Sequence, residues 1–360
     1  MPSLSMHLAR YLGLTRAEGP EASVRLPALL LAGVYSLGAR LRRQLYSRGW
    51  LPVKRLPAPV ISVGNLTVGG TGKTPMVACL ARYFQGRGEK VAILSRGYGG
   101  RRKSVTCLSD GETVYFKPPE VGEEAYWLAR SLPGAAVYTC PSRYEAGLAA
   151  WREFKPDLFL LDDGFQHFQL NRDLDIVLLD AAAPFGIGQV LPRGRLREPV
   201  SALTAAQVLI LTRFEPERHQ EQLQSVRKRF PGKTVLTATI QPVAVRRYPG
   251  GEAHPLDILR GRPLLAFAGL ARPEVFSRTL EDLEAVIKGF QAFPDHYAFG
   301  GADLRSLLQA ARKQGAETLI TTSKDFARLG DSWEGDLPLW VLEVEARVDQ
   351  SLDSLMGRWG

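Results

Sequence analysis

The 360-residue chain has only three cysteines, Cys79, Cys107 and Cys140, which lie far apart and form no CxxC pair. This scarcity argues against a disulfide framework and against a structural zinc site, and it fits a reducing cytosol. Internal repeats and low-complexity tracts are missing too, and an apolar fraction of 45% excludes a mainly disordered chain. At roughly 100–200 residues per domain, the length predicts two domains.

Long apolar runs are also missing. The apolar stretch at residues 26–39 has about 14 residues, whereas a membrane-spanning helix needs about 20. Arginines rather than a small-residue cleavage site follow this stretch, which disfavours a secretory signal. A helix that spans the bilayer is therefore not predicted.

The positive charge is concentrated at one end. The formal net charge is +9, and residues 1–55 hold nine basic and two acidic residues, which leaves +2 for the other 305 residues. A protein that binds nucleic acid over its whole surface would not have this distribution, so no nucleic-acid partner is predicted.

The basic arm has the pattern of an amphipathic helix. At 3.6 residues per turn, one apolar stripe contains Leu26, Leu30, Val34, Leu37, Leu41 and Leu45. A separate polar wedge contains Ser36, Arg40, Arg43 and Ser47, and Pro27 is expected in the first turn. This pattern favours a helix in a membrane interface with its arginines toward anionic head groups. The alternative is a helix packed on the body of the protein with a solvated basic face.

A P-loop follows a short apolar strand at residues 59–64. A glycine-rich loop that ends in GKT and opens a helix cradles nucleotide phosphates with its backbone N–H groups. Lys73 is predicted to reach the β- and γ-phosphates, and the Thr74 hydroxyl is predicted to bind Mg²⁺. Thr67 stands where the usual pattern has its first glycine. The predicted phosphate-binding residues are Thr67, Val68, Gly69, Gly70, Thr71, Gly72, Lys73 and Thr74.

Two adjacent carboxylates follow the apolar strand at residues 156–161. In P-loop proteins an acid at the end of a neighbouring strand holds the metal, and a second acid can serve proton transfer or orientation. At least one of Asp162 and Asp163 is therefore predicted to bind the metal, while a simple Asp-Gly β-turn is the alternative.

Further strands are predicted at residues 90–95, 175–180 and 207–212, with helices between them. This alternation predicts an α/β fold, with a P-loop NTPase-like, mainly parallel sheet. Ligands of such sheets lie at the carboxyl ends of the strands, where Gly64, Ser95, Asp162 and Asp180 are expected. After about residue 235, strands and helices predict a second, smaller α/β domain, so the expected divisions are 1–55, 56–235 and 236–360.

Several segments together resemble the tetraacyldisaccharide 4′-kinases of lipid A synthesis. They are SVGNLTVGGTGKTP (62–75), SRGYG (95–99), LDDGFQH (161–167), LPRGRLREP (191–199), FPDHY (293–297) and TTSKDF (321–326). The resemblance implies ATP-dependent phosphorylation of the 4′-hydroxyl of a tetraacylated glucosamine disaccharide 1-phosphate, with Mg²⁺. It also implies a peripheral enzyme at the cytoplasmic face of the bacterial inner membrane, two α/β/α domains with a cleft between them and an N-terminal membrane-associated helix. The acylated lipid and an anionic membrane surface are the expected partners, with no obligate protein partner.

The resemblance also assigns site residues. It implies that Asp163 accepts the hydroxyl proton, directly or through His296, and that Asp162 lies on the metal side. Lys73 is expected as a further catalytic residue. A family acid in a Gly-Asp-Glu segment matches Glu123 of Gly122-Glu123-Glu124, one methylene longer than the usual aspartate. Guanidinium groups bind phosphate well, so ATP or the 1-phosphate is the predicted target of Arg96, Arg193, Arg195 and Arg197. The alternative is a set of surface arginines paired with Glu198 and other acids.

Three other functions compete with a kinase. A P-loop GTPase or metallochaperone normally shows an NKxD-type segment, and neither Thr212-Arg213 nor Ser323-Lys324-Asp325 has its spacing. A membrane-dimerising ATPase of the ParA/MinD type carries an additional lysine early in the loop, and residues 67–71 have none. A non-enzymatic membrane adaptor would leave the P-loop and DDGFQH unexplained. The membrane-associated GTPase or ATPase switch is kept as the alternative to the kinase.

Overall fold

The computed structural model of the protein describes residues 22–270, 272–295, 297–329, 333, 335–350, 352 and 353, with side chains from residue 28 onward. Residues 1–21, the Leu26 side chain and His296 lie outside this description. Helices in the described ranges are α1 Ala22–Ser47, α2 Lys73–Gly86, α3 Glu123–Ser131, α4 Arg143–Glu153, α5 Pro216–Arg229, α6 Pro273–Asp282, α7 Gly301–Lys313 and α8 Ser323–Arg328. Two 3₁₀ helices span Val200–Ala205 and Leu256–Leu259.

Thirteen strands of the described ranges form one sheet. They are β1 Val60–Asn65, β2 Val91–Ser95, β3 Thr106–Ser109, β4 Ala136–Thr139, β5 Leu158–Asp162, β6 Leu174–Asp180, β7 Val208–Thr212, β8 Thr234–Tyr248, β9 Glu252–His254, β10 Pro263–Ala268, β11 Val286–Ala292, β12 Thr318–Thr322 and β13 Leu339–Val348. Their order is β11-β10-β12-β13-β8-β7-β6-β1-β5-β2-β4-β3, and β9 pairs with β8.

The sheet has two halves that share β8. The P-loop half comprises β1–β7, which are parallel except for the edge strand β3. The second half comprises β9–β13, in which β10, β11, β12 and β13 run parallel. The first part of β8 pairs in parallel with β7, and nearly its whole length pairs antiparallel with β13. The predicted mainly parallel α/β architecture is confirmed, while the boundary at 235 falls inside β8 and stays a prediction.

Apolar residues cover both faces of the P-loop half. Strands β1, β2, β5 and β7 are buried along their whole length, as expected for parallel strands between two helical layers. Residues of α2 and α3 pack on one face, whereas residues of α4 and α5 pack on the other. This packing places the loops that follow β1, β2, β5 and β6 at one edge of the sheet, where the predicted site residues lie.

Helix α1 begins earlier than predicted and docks through a side that combines small residues with Arg43. It begins at Ala22, so Pro27 lies beyond the first turn, contrary to the prediction. Ala28 and Ala32 are buried. The apolar stripe instead faces outward, and Val34 and Leu37 are 72% and 69% exposed. Among the described helices, none combines the length and apolar character needed to cross a bilayer.

Candidate active site

The P-loop is shaped by hydrogen bonds within its own turn. Gly69 and Gly72 have φ angles of 123° and 82°, in the left-handed region that glycine adopts without strain. Asn65 ends β1 and donates from Nδ2 to the Thr71 hydroxyl at 3.0 Å and to the Gly69 carbonyl at 3.3 Å. The Thr212 hydroxyl donates to the Thr71 carbonyl at 2.9 Å, which ties the loop to the end of β7. These contacts preorganise the loop for an anion.

Lys73 and Thr74 are the first two residues of α2, where the helix N-terminus favours negative charge. The Thr74 side chain is buried, and Lys73 Nζ lies 3.6 Å from Asp163 Oδ1. The loop, the lysine and the hydroxyl that the sequence predicts therefore lie together at one end of α2.

The LPRGRLREP segment pairs with the P-loop. Val68 N–H donates to the Arg195 carbonyl at 2.7 Å, and Arg195 Nε donates to the Val68 carbonyl at 3.2 Å. A side chain on Gly69 would place its Cβ 2.4 Å from Arg195 Nη2, so the guanidinium fills the space that this glycine leaves. Thr67 forms an antiparallel bridge with Leu196, an extended conformation that suits a β-branched residue. This bridge explains why the usual first glycine is not needed here.

Asp162 ends β5 and is almost fully buried. Its Oδ2 accepts a 3.3 Å hydrogen bond from the Ser95 hydroxyl, whereas its Oδ1 has no hydrogen-bond partner in the described part of the chain. Burial, with the nearby carboxylates of Glu124 and Asp163, raises the pKa of Asp162 to about 7. A buried carboxylate oxygen without a partner is the kind of atom that a cation can satisfy.

Asp163 has the opposite environment. Its φ of 54° lies in the left-handed region, which aspartate tolerates better than most residues. Arg197 Nη1 donates to both of its carboxylate oxygens, at 3.0 and 2.9 Å. Burial works to raise the pKa of Asp163, but Lys73 and Arg197 outweigh it and hold that pKa below its ordinary value. Asp163 is therefore ionised at neutral pH, beside a neighbour that resists ionisation.

The predicted arginines differ in their surroundings. Arg195 and Arg197 lie at the P-loop and at Asp163, as described above. Arg193 is half-buried on the same segment, and Arg96 is exposed just beyond the end of β2. Glu198 does not pair with these four residues as the alternative supposes, because its carboxylate holds Arg43 of α1.

Glu123 and Glu124 connect the two halves of the sheet. Both residues open α3, where Glu123 Oε2 accepts a 2.6 Å bond from Arg328 Nε, and Glu124 Oε1 accepts a 3.0 Å bond from Lys324 Nζ. Arg328 also donates to Asp325 Oδ1 at 2.8 Å. Asp325 is fully buried in α8. Whether Glu123 acts in catalysis stays a prediction.

His296 lies outside the described residues, whereas Phe293 and Pro294 of the same motif are described. Phe293 N–H donates to the Ala268 carbonyl at the end of β10. The Pro294 carbonyl would lie 3.1 Å from a Cβ on Gly269, and the Gly269 carbonyl accepts from Arg328. Phe293 and Pro294 therefore lie on the side of the second half that Arg328 connects to α3.

Two arginine groups at this edge were not predicted. Arg143 opens α4, is buried and has an Nε without a hydrogen-bond partner in the described ranges, while burial lowers its pKa against the opposing effect of Asp162. Arg213 donates to the Gly70 carbonyl at 2.8 Å and to Asp180 Oδ2 at 3.0 Å, and Arg272 of the second half contacts the same oxygen at 3.2 Å. Arg143 and Arg213 could have been predicted as site residues because they follow the ends of β4 and β7. Strand β4, however, was not predicted.

The loop, lysine and buried strand-end carboxylates define a P-loop nucleotide-binding protein of the α/β class. The LpxK family profile, described as tetraacyldisaccharide-1-P 4′-kinase, matches residues 25–359. A tetraacyldisaccharide 4′-kinase of Anaeromyxobacter dehalogenans (strain 2CP-C) is 43% identical over 335 residues, which are 91% of this chain and 88% of that protein. One of Geobacter metallireducens is 43% identical over 310 residues, covering 85% and 90%.

A solved structure is similar as well. The crystal structure of "apo" form LpxK from Aquifex aeolicus in complex with ATP has a TM-score of 0.76 and 33% identity, covering 91% of this chain and 96% of that one. The chain belongs to the tetraacyldisaccharide 4′-kinase family. The fold and the order of the motifs agree with this membership along most of the chain.

Proposed function

We propose that this protein transfers the γ-phosphoryl group of ATP to the 4′-hydroxyl of a tetraacylated glucosamine disaccharide 1-phosphate. One observation carries the proposal: Lys73 and Arg197 converge on the Asp163 carboxylate beside the buried Asp162, at the mouth of a P-loop. Phosphoryl transfer depends mainly on positioning and on neutralising the charge of the γ-phosphate, and this cluster supplies both cations and carboxylates. Family membership supports the choice of donor and acceptor.

The residues present fit Mg²⁺ bound with the nucleotide. Within the described ranges, no three His, Cys, Asp or Glu side chains converge as a ready-made metal cluster. The unpartnered Oδ1 of Asp162 and the Thr74 hydroxyl are the oxygen ligands that a hard cation prefers. When bound there, Mg²⁺ would neutralise phosphate charge and favour the ionised form of Asp162.

Asp163 would accept the proton of the attacking sugar hydroxyl, directly or through His296. Its carboxylate is ionised, and the Arg197 contact fixes the direction of its oxygens. Lys73 would hold the transferred phosphoryl group. The four arginines at positions 96, 193, 195 and 197 would bind ATP phosphates or the 1-phosphate of the acceptor, and Arg195 over Gly69 supports a contact with ATP.

The outward stripe of α1 supports peripheral binding to an anionic membrane, at the cytoplasmic face of the inner membrane. Large apolar side chains stand exposed along this helix: Leu29, Leu30, Leu31, Val34, Leu37 and Leu41. Trp50, just beyond the helix, is exposed as well and suits the head-group level. An acceptor with four acyl chains resides in the bilayer, so an enzyme that lies on the membrane meets its substrate there.

A labelled-ATP assay tests the proposal. The wild-type protein is incubated with the tetraacyl disaccharide 1-phosphate in detergent micelles, with GTP in place of ATP and without acceptor as the two comparisons. Transfer of label to the acceptor with ATP is expected. Nucleotide hydrolysis that ignores the acceptor, or that prefers GTP, would favour the membrane-associated NTPase switch instead.

A further inference from the structure

Arg43 on α1 contacts both segments that build the acidic site. Its Nε and Nη2 donate to the two carboxylate oxygens of Glu198, at 2.8 and 2.9 Å. Its guanidinium carbon lies 4.7 Å from the ring centroid of Phe165 and 4.8 Å from that of Phe168. The two rings belong to the segment DDGFQHF, and Glu198 belongs to LPRGRLREP. One side chain of α1 therefore holds together the segments that carry Asp163 and Arg197.

The contact with Glu198 is a buried, two-point ion pair. The Glu198 side chain is 5% exposed and that of Arg43 is 18% exposed, so water screens the pair weakly. Two parallel N–H···O bonds fix the direction of the carboxylate as well as its position. Without Arg43, a buried carboxylate would lose its ion partner, and the segment around it would have to move to hydrate the charge.

A second contact fixes the backbone next to Glu198. The Tyr35 hydroxyl of α1 donates to the Arg197 carbonyl at 2.9 Å, while the Arg197 N–H donates to the Leu66 carbonyl at 2.7 Å. The peptide groups of Arg197 are thus held from α1 on one side and from the P-loop on the other. The guanidinium of the same residue holds the Asp163 carboxylate.

Phe165 is close-packed on the strand that leads into the P-loop. A Cβ on Gly64 of β1 would lie 2.5 Å from Phe165 Cβ and 2.8 Å from its backbone nitrogen. The backbone two residues beyond Asp163 is therefore packed tightly against β1, and the Phe165 side chain that Arg43 contacts is fully buried.

We propose that Arg43 is a positioning residue for Asp163: through Glu198 and the adjoining Arg197, the docked α1 helix sets where the Asp163 carboxylate points. This assignment deepens the proposed function and rests on it. It reverses the predicted role of Arg43, whose guanidinium lies on the protein body and not toward lipid head groups. Helix α1 is then part of the active-site scaffold as well as a membrane-contacting element.

The test compares Arg43→Gln, Glu198→Gln, the double variant and Tyr35→Phe with the wild type. Assays use the full-length protein and the acceptor in detergent micelles, so that membrane binding does not limit the rate. Because a misplacement of about 1 Å can cost up to about 100-fold in rate, we expect kcat to fall about 10-fold for either single charge variant. The KM for ATP should stay within about twofold, since Lys73 and the P-loop are unchanged.

The double variant should be no slower than either single variant, because both remove the same contact. Tyr35→Phe should lower kcat by about two- to threefold. Because it removes one hydrogen bond and no buried charge, it still tests the proposal if the charge variants fail to fold. Arg260→Gln is the matched control, since it breaks an exposed Arg260–Glu284 pair at the far end of the sheet. Wild-type kcat in folded Arg43→Gln, or additive losses in the double variant, would overturn the assignment. An inactive wild type would instead refute the proposed function alone.

Discussion

The carboxylate of Glu123 and the guanidinium of Arg328 form a 2.6 Å ion pair that joins the start of α3 to α8 in the second half of the sheet. Arg328 is only 2% exposed, and it also binds the buried Asp325. Glu123 stands where the family has a shorter aspartate. Its ion pair with Arg328 indicates a structural role for the longer side chain. Two readouts separate that role from a catalytic one.

Replacement of Glu123 by alanine is expected to destabilise the protein. The buried guanidinium would lose this carboxylate and keep that of Asp325, and removing one partner of a buried ion pair costs about 3 kcal/mol at the lower end of the usual range. Chemical unfolding at neutral pH measures the change. Glu284→Ala, which breaks the exposed pair with Arg260, is the control and should cost less than about 0.5 kcal/mol. Full stability combined with a lost kcat would assign Glu123 to catalysis.

Lys73→Ala and Asp162→Ala should abolish phosphoryl transfer in a folded protein. Lys73 is the cation of the P-loop, and Asp162 is a buried carboxylate whose Oδ1 has no hydrogen-bond partner among the described residues. Each loss should therefore lower kcat/KM by about 1,000-fold or more. Labelled-ATP transfer measures the rate, and the far-ultraviolet circular dichroism spectrum reports the fold. Near-normal activity in either purified variant would refute the nucleotide site.

Asp163→Asn and His296→Ala should lower kcat more than they weaken ATP binding. A proton acceptor acts in the transition state, so its loss leaves ground-state affinity largely unchanged and costs about 100- to 10,000-fold in rate. Calorimetric titration with a non-hydrolysable ATP analogue measures the affinity, and transfer assays measure kcat. If affinity and rate fell by the same factor, both residues would belong to nucleotide binding.

The sequence was informative where a motif lies next to its own strand. The P-loop, Lys73 and the Asp162–Asp163 pair could be predicted because each follows an apolar run and acts with its near neighbours. The pairing of residues 195–197 with the P-loop and the Glu123–Arg328 pair could not, because they join positions about 130 and 205 residues apart. Helix α1 shows both outcomes. Leu30, Val34, Leu37 and Leu41 of the predicted apolar stripe lie together on an exposed side, whereas Arg43 turns inward because Glu198 offers a buried carboxylate.

His167 should make stability depend on pH. Burial, with the nearby Arg143 and Arg172, lowers the pKa of His167 to about 4 from its ordinary 6.5. Between pH 6.5 and 4 the unfolded chain binds this proton and the folded protein does not, so acidification through that window destabilises the fold by at most about 3 kcal/mol. Urea unfolding at pH 7 and pH 5 measures the effect. In His167→Gln the free energy of unfolding should fall less between pH 7 and pH 5 than it does in the wild type. An equal fall in both proteins would contradict the prediction.

The outward stripe of α1 should be the main membrane contact. Val34→Ser with Leu37→Ser removes two of its most exposed apolar side chains and leaves the inward Arg43 contact intact. Because burial of each side chain in the interface is worth about 1 kcal/mol or more, binding to vesicles with anionic lipid should fall roughly 10- to 100-fold. Sedimentation with vesicles measures binding, and kcat in detergent micelles should stay near the wild-type value. Val243→Ser with Val286→Ser, which removes exposed apolar side chains from β8 and β11, is the matched control and should bind as the wild type does. Unchanged sedimentation of the α1 variant would place the membrane contact on another surface.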